Sequence, residues 1–87
     1  MSNITGPDSA QNHEFERIVN QYQKTLLRMC YLYLRDKALA EDAVQDTFIK
    51  VYRNMNKFRG DSSEKTWIMK IAMNTCHDIH RSNWFKM

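Results

Sequence analysis

Small and apolar residues recur every three or four positions along one stretch of the chain, between residues 40 and 58. That spacing places them on one face of an α-helix. The set is Ala40, Ala43, Val44, Thr47, Phe48, Val51, Met55 and Phe58. A second face carries Asp42, Gln45, Asp46, Ile49 and Arg53 at the same spacing. The pattern predicts a helix that buries its first face in a core and leaves the second face as a candidate partner surface.

The same periodicity predicts one helix before this stretch and one after it. The helix before it carries Phe15, Ile18, Val19, Tyr22, Leu26, Met29, Cys30 and Tyr33. The helix after it carries Trp67, Ile68, Ile71, Ala72, Thr75 and Ile79. Short polar breaks separate the three helices, and a break of three residues implies that the first two pack antiparallel. Asp36 in the first break can cap the second helix, and Gly60 in the second break suits a turn.

We therefore predict an all-α fold, a compact bundle of three helices within residues 13–87. The helices are placed at about residues 14–34, 37–57 and 64–82. The preceding residues 1–12 contain small polar residues and the single Pro, and we expect them to form a disordered lead-in. Three residues, Asp61, Ser62 and Ser63, are rival caps for the third helix, with Glu64 as the partner of Asp61 in a capping arrangement.

Composition agrees with one small helical domain. The chain has 87 residues, of which 43% are hydrophobic, and it contains only two Gly and one Pro. A net charge of +3 is compatible with a polyanionic partner without requiring one. Two cysteines make no disulfide framework, and no secretory signal or membrane-spanning apolar stretch occurs. We expect a cytoplasmic chain with reduced thiols and no membrane contact of its own.

Motifs for catalysis or cofactor binding are absent from the sequence. It has no glycine-rich phosphate loop, no paired-cysteine metal motif and no nucleophile elbow. Cys76, His77 and His80 are the only neighbouring set that could hold a metal. Without further ligands they are better interpreted as a core thiol beside surface histidines. We expect a protein that is not an enzyme, with no catalytic residue, no metal and no cofactor.

Three stretches, in order, resemble one known family. They are AEDAVQDTFIKVY, FRGDS and TWIMKIAMNTCHDIHR. They are similar to the acidic-Gln-acidic helix, the following loop and the last helix of region 2 of bacterial sigma factors of the extracytoplasmic-function group. The resemblance covers about residues 15–81. Nothing after Ser82 resembles the second helical domain of that family, so we interpret the chain as the first domain alone.

The resemblance implies the promoter-recognition domain of an alternative RNA polymerase sigma factor, acting in transcription initiation. Such a domain docks on the clamp coiled coil of the largest polymerase subunit. It also binds the non-template strand of the melted minus-ten promoter element. An anti-sigma factor is implied as a further partner.

Three sets of contact residues follow from the resemblance. The polymerase contact is assigned to Asp42, Gln45, Asp46, Ile49 and Tyr52, because carboxylates and an amide can pair with basic residues on a facing helix. Contact with an unstacked base is assigned to the loop residues Arg59, Gly60, Asp61, Ser62 and Ser63. Contacts with the DNA strand backbone and with a base edge are assigned to one helix face, which carries Lys70, Asn74, His77 and Arg81. Trp67 is expected in the core, and stacking on a base is the alternative.

Two other functions fit the same residues. A helical protein-interaction module, bound to an anti-sigma factor or regulatory, would use the second helix and never contact DNA. A helix-turn-helix repressor would need a tight turn, and residues 58–63 are longer than such a turn. Binding to single-stranded DNA, to duplex DNA and to the polymerase coiled coil separates the three functions.

Overall fold

The computed structural model describes residues 7–58 and 60–86, and within them it consists of three α-helices. Helix α1 is Pro7–Leu34, α2 is Lys37–Asn54 and α3 is Glu64–Lys86. A single 3₁₀ turn, Met55–Lys57, extends α2. The predicted all-α bundle of three helices is confirmed.

The start of α1 differs from the prediction. The helix begins at Pro7, not near residue 14, so residues 7–12 of the predicted lead-in are helical. Proline is favoured in the first turn of a helix. Two contacts hold the turn that follows: Gln11 Nε2 donates to the Tyr52 carbonyl oxygen at 3.2 Å, and the Tyr52 hydroxyl donates to Asn12 Oδ1 at 3.0 Å. Polar tertiary contacts of this kind cannot be predicted from the spacing of apolar residues in the sequence. Residues 1–6 of the predicted lead-in lie outside the described residues.

The same two contacts join the start of α1 to the end of α2, so the two helices are antiparallel as the short break predicted. The predicted cap is also present, because Asp36 Oδ1 accepts a hydrogen bond from the Leu39 amide at 2.9 Å. At the start of α3 the cap is Ser63, whose hydroxyl oxygen accepts from the Thr66 amide at 3.1 Å. Helix α3 continues past residue 82, where the sequence has no Gly or Pro to end it.

The core lies where the apolar faces of the three helices meet. Its buried residues are Ile18, Tyr22, Leu26, Cys30, Ala40, Ala43, Val44, Thr47, Phe48, Val51, Ile68, Ala72, Thr75 and Cys76. Both buried threonines satisfy their hydroxyls locally, donating to the carbonyl oxygens of Ala43 and Ile71. Because α2 and α3 each bury one face in this core, the opposite face of each helix is exposed to solvent.

Candidate polymerase and promoter surfaces

The residues predicted for the polymerase contact lie together on the outer face of α2. The side chains of Asp42 and Gln45 are exposed, and Asp46 is half-buried. Ile49 and Tyr52 are 46% and 38% exposed, so two large apolar side chains lie beside the carboxylates on this face. The face therefore combines exposed apolar area with carboxylates, as a protein-binding surface does.

Gln45 and Ile49 separate two grooves, and we call these two side chains the α2 ridge. The α1–α2 groove has a volume of about 880 Å³. It is lined by Asn12, Phe15, Val19, Gln23, Leu27, Glu41, Val44, Gln45, Phe48, Ile49, Tyr52 and Arg53. The α2–α3 groove has a volume of about 320 Å³ and is lined by Asp42, Gln45, Asp46, Ile49 and Ile79. The ridge is thus flanked by a groove on each side.

Helix α1 contributes to this surface in a way that the sequence did not predict. The Phe15 ring meets Phe48 edge-on at a centroid distance of 6.1 Å and Tyr52 at 5.1 Å. Val19 and Leu27 are half-buried on the same side of the helix. The apolar periodicity of α1 indicated burial alone. Their partial exposure arises because no third helix covers the α1–α2 groove in the described chain.

The charge on the α2 face is partly balanced within the domain. Lys50 Nζ lies 3.4 Å from Asp46 Oδ2, one helical turn away. The same Nζ donates a hydrogen bond to Thr75 Oγ1 at 2.9 Å, which connects α2 to α3. Asp46 therefore shares its carboxylate with a lysine, whereas Asp42 has no ion-pair partner among the described side chains.

The loop assigned to an unstacked base lies between the 3₁₀ turn and α3. Arg59 lies outside the described residues. Gly60 has φ +79°, a left-handed conformation that glycine adopts without strain. Asp61 is exposed and Ser62 is half-buried, while the Ser63 hydroxyl is engaged as the cap of α3. The side chains of Asp61 and Ser62 therefore do not cap α3.

Aromatic rings hold the start of this loop. The Phe58 and Trp67 rings pack with centroids 4.9 Å apart and an angle of 31° between their planes. Trp67 is half-buried and packs against the core cluster from its edge. The loop is therefore supported by an aromatic pair that joins its first residue to α3.

A polar cluster at the start of α3 was missed in the sequence. Glu64 Oε1 accepts a hydrogen bond from the Tyr22 hydroxyl at 3.0 Å, and Arg17 pairs with both Glu64 and Glu14. Burial, and then the bond to Glu64, raise the pKa of Tyr22. Hydrogen bonds to the two carboxylates raise the pKa of Arg17. The sequence indicated only a local capping role for Glu64, but the structure uses it to bind α1.

The four residues of α3 assigned to DNA share one exposed face. They are Lys70, Asn74, His77 and Arg81. His77 Nδ1 lies 3.3 Å from the Tyr33 hydroxyl, so its ring is oriented by α1. Met73 lies within the same face and is 42% exposed. Beside it is an open α3 recess of about 450 Å³, lined by Lys65, Thr66, Met69, Lys70, Met73 and Asn74.

No three His, Cys, Asp or Glu side chains in residues 7–58 and 60–86 lie close enough to hold a metal ion. No helix in that part of the chain is long and apolar enough to cross a membrane.

Comparison with known proteins identifies relatives over most of the chain. The family model for Sigma-70 region 2 matches residues 18–86. The chain is 41% identical over 61 residues to an RNA polymerase sigma-H factor of Pseudomonas aeruginosa, which covers 70% of this chain and 32% of the relative. It is 32% identical over 72 residues to the ECF RNA polymerase sigma factor SigX of Bacillus subtilis, covering 83% and 34%. It is 38% identical over 61 residues to an ECF RNA polymerase sigma-E factor of Haemophilus influenzae, covering 70% and 32%.

The match therefore spans about a third of the length of these relatives. It includes all of α2 and α3 and most of α1, which are the elements that form the three surfaces described above. The chain belongs to the Sigma-70 region 2 family, and its resemblance to sigma factors of the extracytoplasmic-function group is confirmed.

Proposed function

We propose that this domain recognises promoters as part of an alternative sigma factor, docking on the polymerase clamp coiled coil and holding the melted minus-ten strand. The observation that carries the docking is the α2 ridge of Gln45 and Ile49, flanked by a groove on each side. A coiled coil presents rows of side chains that can enter such grooves, and the ridge would then lie between them. Asp42, Asp46 and Tyr52 would surround the contact.

The DNA contact is proposed for a different side of the domain. Lys70, His77 and Arg81 supply cations or donors for phosphates, and Asn74 can read a base edge. The loop residues Gly60, Asp61, Ser62 and Ser63, with Arg59, would receive one unstacked base. Strand separation needs no group transfer here, because binding the open strand more tightly than the duplex shifts the equilibrium towards it. The domain would act by binding alone, in the cytoplasm where polymerase and chromosome meet.

Support for two separate surfaces comes from the core. The α2 ridge and the α3 face lie on different helices, and both helices are fixed by the same buried residues. A domain built in this way can hold the polymerase and the DNA strand at a set distance from each other. An anti-sigma factor is a further proposed partner, and the apolar α1–α2 groove is the surface that it would cover.

Two substitutions test the proposal on the intact chain. Gln45→Ala should weaken binding to a clamp coiled-coil peptide about tenfold, equivalent to about 1.4 kcal/mol, and leave single-stranded DNA binding unchanged. Asn74→Ala should weaken binding to a minus-ten single strand and leave the coiled coil unchanged. Asn20→Ala, an exposed amide of α1 that lines none of the three grooves or recesses, is the control.

The outcomes separate the candidate functions. Binding to the coiled coil without any binding to DNA would instead support the protein-interaction module, which the large apolar α1–α2 groove favours as the second candidate. Preference for duplex over single-stranded DNA would support a repressor. If the unmodified chain binds none of these partners, the sigma function is wrong.

A further inference from the structure

Met73 is an exposed apolar side chain in the middle of a polar helix face. It is 42% exposed, and Lys70 and His77 lie three positions before it and four after it. Met69, one turn earlier, is half-buried on the same side of α3. A single exposed methionine needs no explanation, because scattered apolar side chains are normal on a surface. Its surroundings are what indicate a ligand.

The α3 recess combines an apolar floor with a positive rim. Met69 and Met73 supply the apolar part, and Lys65 and Lys70 supply two cations. No carboxylate lines the recess, so its charge is uncompensated by the residues around it. Asn74 adds an amide at one end. The lining therefore suits a ligand that is anionic and also presents an apolar surface of modest size.

One unstacked nucleotide of single-stranded DNA has both properties. Its phosphates complement the lysines, and its base face can pack on thioethers, which are polarizable and adaptable. Methionine is among the apolar side chains that DNA-binding proteins insert against unstacked bases. In a duplex the base faces are covered by their neighbours, so the same recess would be offered only phosphates.

We propose that Met69 and Met73 form a subsite for one base of the opened strand, with Lys65 and Lys70 holding the phosphates on either side of it. The subsite rests on the proposed DNA-binding function and adds to it Met69 and Met73, which the family resemblance did not supply. It lies on the outer face of α3, and its lining begins at Lys65, two residues after the loop that would receive the flipped base. The subsite would bind the face of any base. It would therefore raise the affinity for single-stranded over duplex DNA, and it would contribute little to sequence preference.

The test uses the methionine methyl groups as probes. The full chain is labelled with ¹³C at the methionine methyls and with ¹⁵N at the backbone amides, and is titrated with a single-stranded oligonucleotide of about 12 mixed-sequence nucleotides. A second oligonucleotide of equal length has abasic sugars throughout, so that it carries the same phosphates without bases. The Met69 and Met73 signals are assigned from Met69→Ala and Met73→Ala, and Met55 of the 3₁₀ turn is the internal reference.

The NMR signal of the Met73 methyl should move upfield when the base-containing strand is added, because a methyl packed on a base lies in its ring current. The abasic strand should not cause this upfield shift. Met73→Ala should weaken the base-containing strand about fivefold and the abasic strand by less than about twofold. Leu32→Ala, which removes a side chain 57% exposed on α1, should change neither affinity.

Three results would contradict the subsite, and they have different meanings. If the amides of Lys70 and Asn74 respond to the strand but the Met73 methyl responds equally to both oligonucleotides, the base subsite is wrong and the DNA-binding function stands. If no signal of α3 responds to either strand, the proposed DNA-binding function is wrong and the subsite with it. Equal perturbation by an acidic peptide would also overturn the subsite, since it would show that charge alone is recognised.

Discussion

The Tyr22 hydroxyl donates a hydrogen bond of 3.0 Å to Glu64 Oε1, joining the middle of α1 to the first residue of α3. Tyr22 is buried, so its hydroxyl has little access to water if this partner is lost. Arg17 pairs with the same carboxylate from the more exposed side. Glu64 directly follows the loop assigned to an unstacked base, and this contact therefore fixes where that loop ends.

Glu64→Ala should lower the free energy of unfolding by about 1–3 kcal/mol, because it leaves the buried Tyr22 hydroxyl without its acceptor. Glu64→Gln should cost less, since the amide oxygen can still accept that hydrogen bond. Urea denaturation measures both. Glu14→Ala is the matched control: it removes the exposed carboxylate paired with the same Arg17, and exposed ion pairs contribute little to stability. Equal losses for Glu14→Ala and Glu64→Ala would contradict the assignment.

Gly60 provides a second prediction about the loop. Its φ of +79° disfavours any residue with a Cβ, although no atom lies within 4 Å of the place where a Cβ would stand. Gly60→Ala should therefore destabilise the domain through backbone strain alone, by about 1 kcal/mol. Gly60→Asn should cost less, because asparagine tolerates the left-handed region better than alanine.

Thermal unfolding with both variants provides the measurement. Under the proposed function, Gly60→Ala should also weaken single-strand binding more than Gly60→Asn, because the loop would leave its pre-set conformation. Alanine and asparagine variants that are equally stable would show that the left-handed conformation does not set the stability of this loop.

The helical faces were predictable because the buried positions of a helix are apolar at intervals of three or four residues. Residues such as Ile18, Leu26 and Ile68 are apolar at helical spacing, and each is in the core. Polar tertiary contacts produce no such pattern. The hydrogen bonds that join Gln11 and Asn12 to Tyr52 extend α1 beyond its apolar pattern. The sequence predicts only a local capping role for Glu64, although its partners Tyr22 and Arg17 are 42 and 47 residues away.

The candidate surfaces show the same division. The exposed face of α2 was visible as a second stripe, so Gln45 and Ile49 were identified from their spacing. The groove beside them was not, because it depends on how Phe15 of α1 packs against Phe48 and Tyr52. Met73 was also missed, since a methionine at helical spacing is usually core, and only the fold determines which side of α3 faces outward.

Two buried acids make stability depend on pH in the alkaline range. Burial, followed by interaction with Cys76, raises the pKa of Cys30 from 9.0 to about 12, and the pKa of Tyr22 is raised from 10.0. Above pH 9 the unfolded chain loses these protons while the folded chain keeps them. The free energy of unfolding should therefore fall as the pH rises from 9 towards 12, with a limiting slope of about 1.4 kcal/mol per pH unit for each group.

Urea denaturation at a series of pH values tests this. Tyr22→Phe and Cys30→Ala should each flatten the alkaline slope, whatever they do to stability at neutral pH. Lys24→Met, which removes an exposed cation of α1, should leave that slope in place. An unchanged slope in both core variants would mean that other groups titrate on unfolding.

Lys50 is positioned to moderate the docking surface. It lies 3.4 Å from Asp46 and donates to Thr75, whose own hydroxyl remains bonded to the Ile71 carbonyl oxygen. Lys50→Met should therefore change stability by less than about 1 kcal/mol, because it leaves no buried donor unsatisfied and removes only a partly exposed ion pair. The substitution also makes the α2 face more negative by one charge.

If basic residues of the polymerase clamp bind this face, that extra negative charge should accelerate association. The association rate with a clamp coiled-coil peptide should rise about twofold at low salt for Lys50→Met, and the gain should vanish at high salt through screening. Asp46→Asn should slow association under the same conditions. Lys24→Met changes the net charge equally, but Lys24 is on α1 and lines none of the grooves, so it should have a smaller effect. Stopped-flow fluorescence resolves these rates, and equal acceleration by the two lysine variants would show that only net charge matters, without a local role for the Asp46–Lys50 pair.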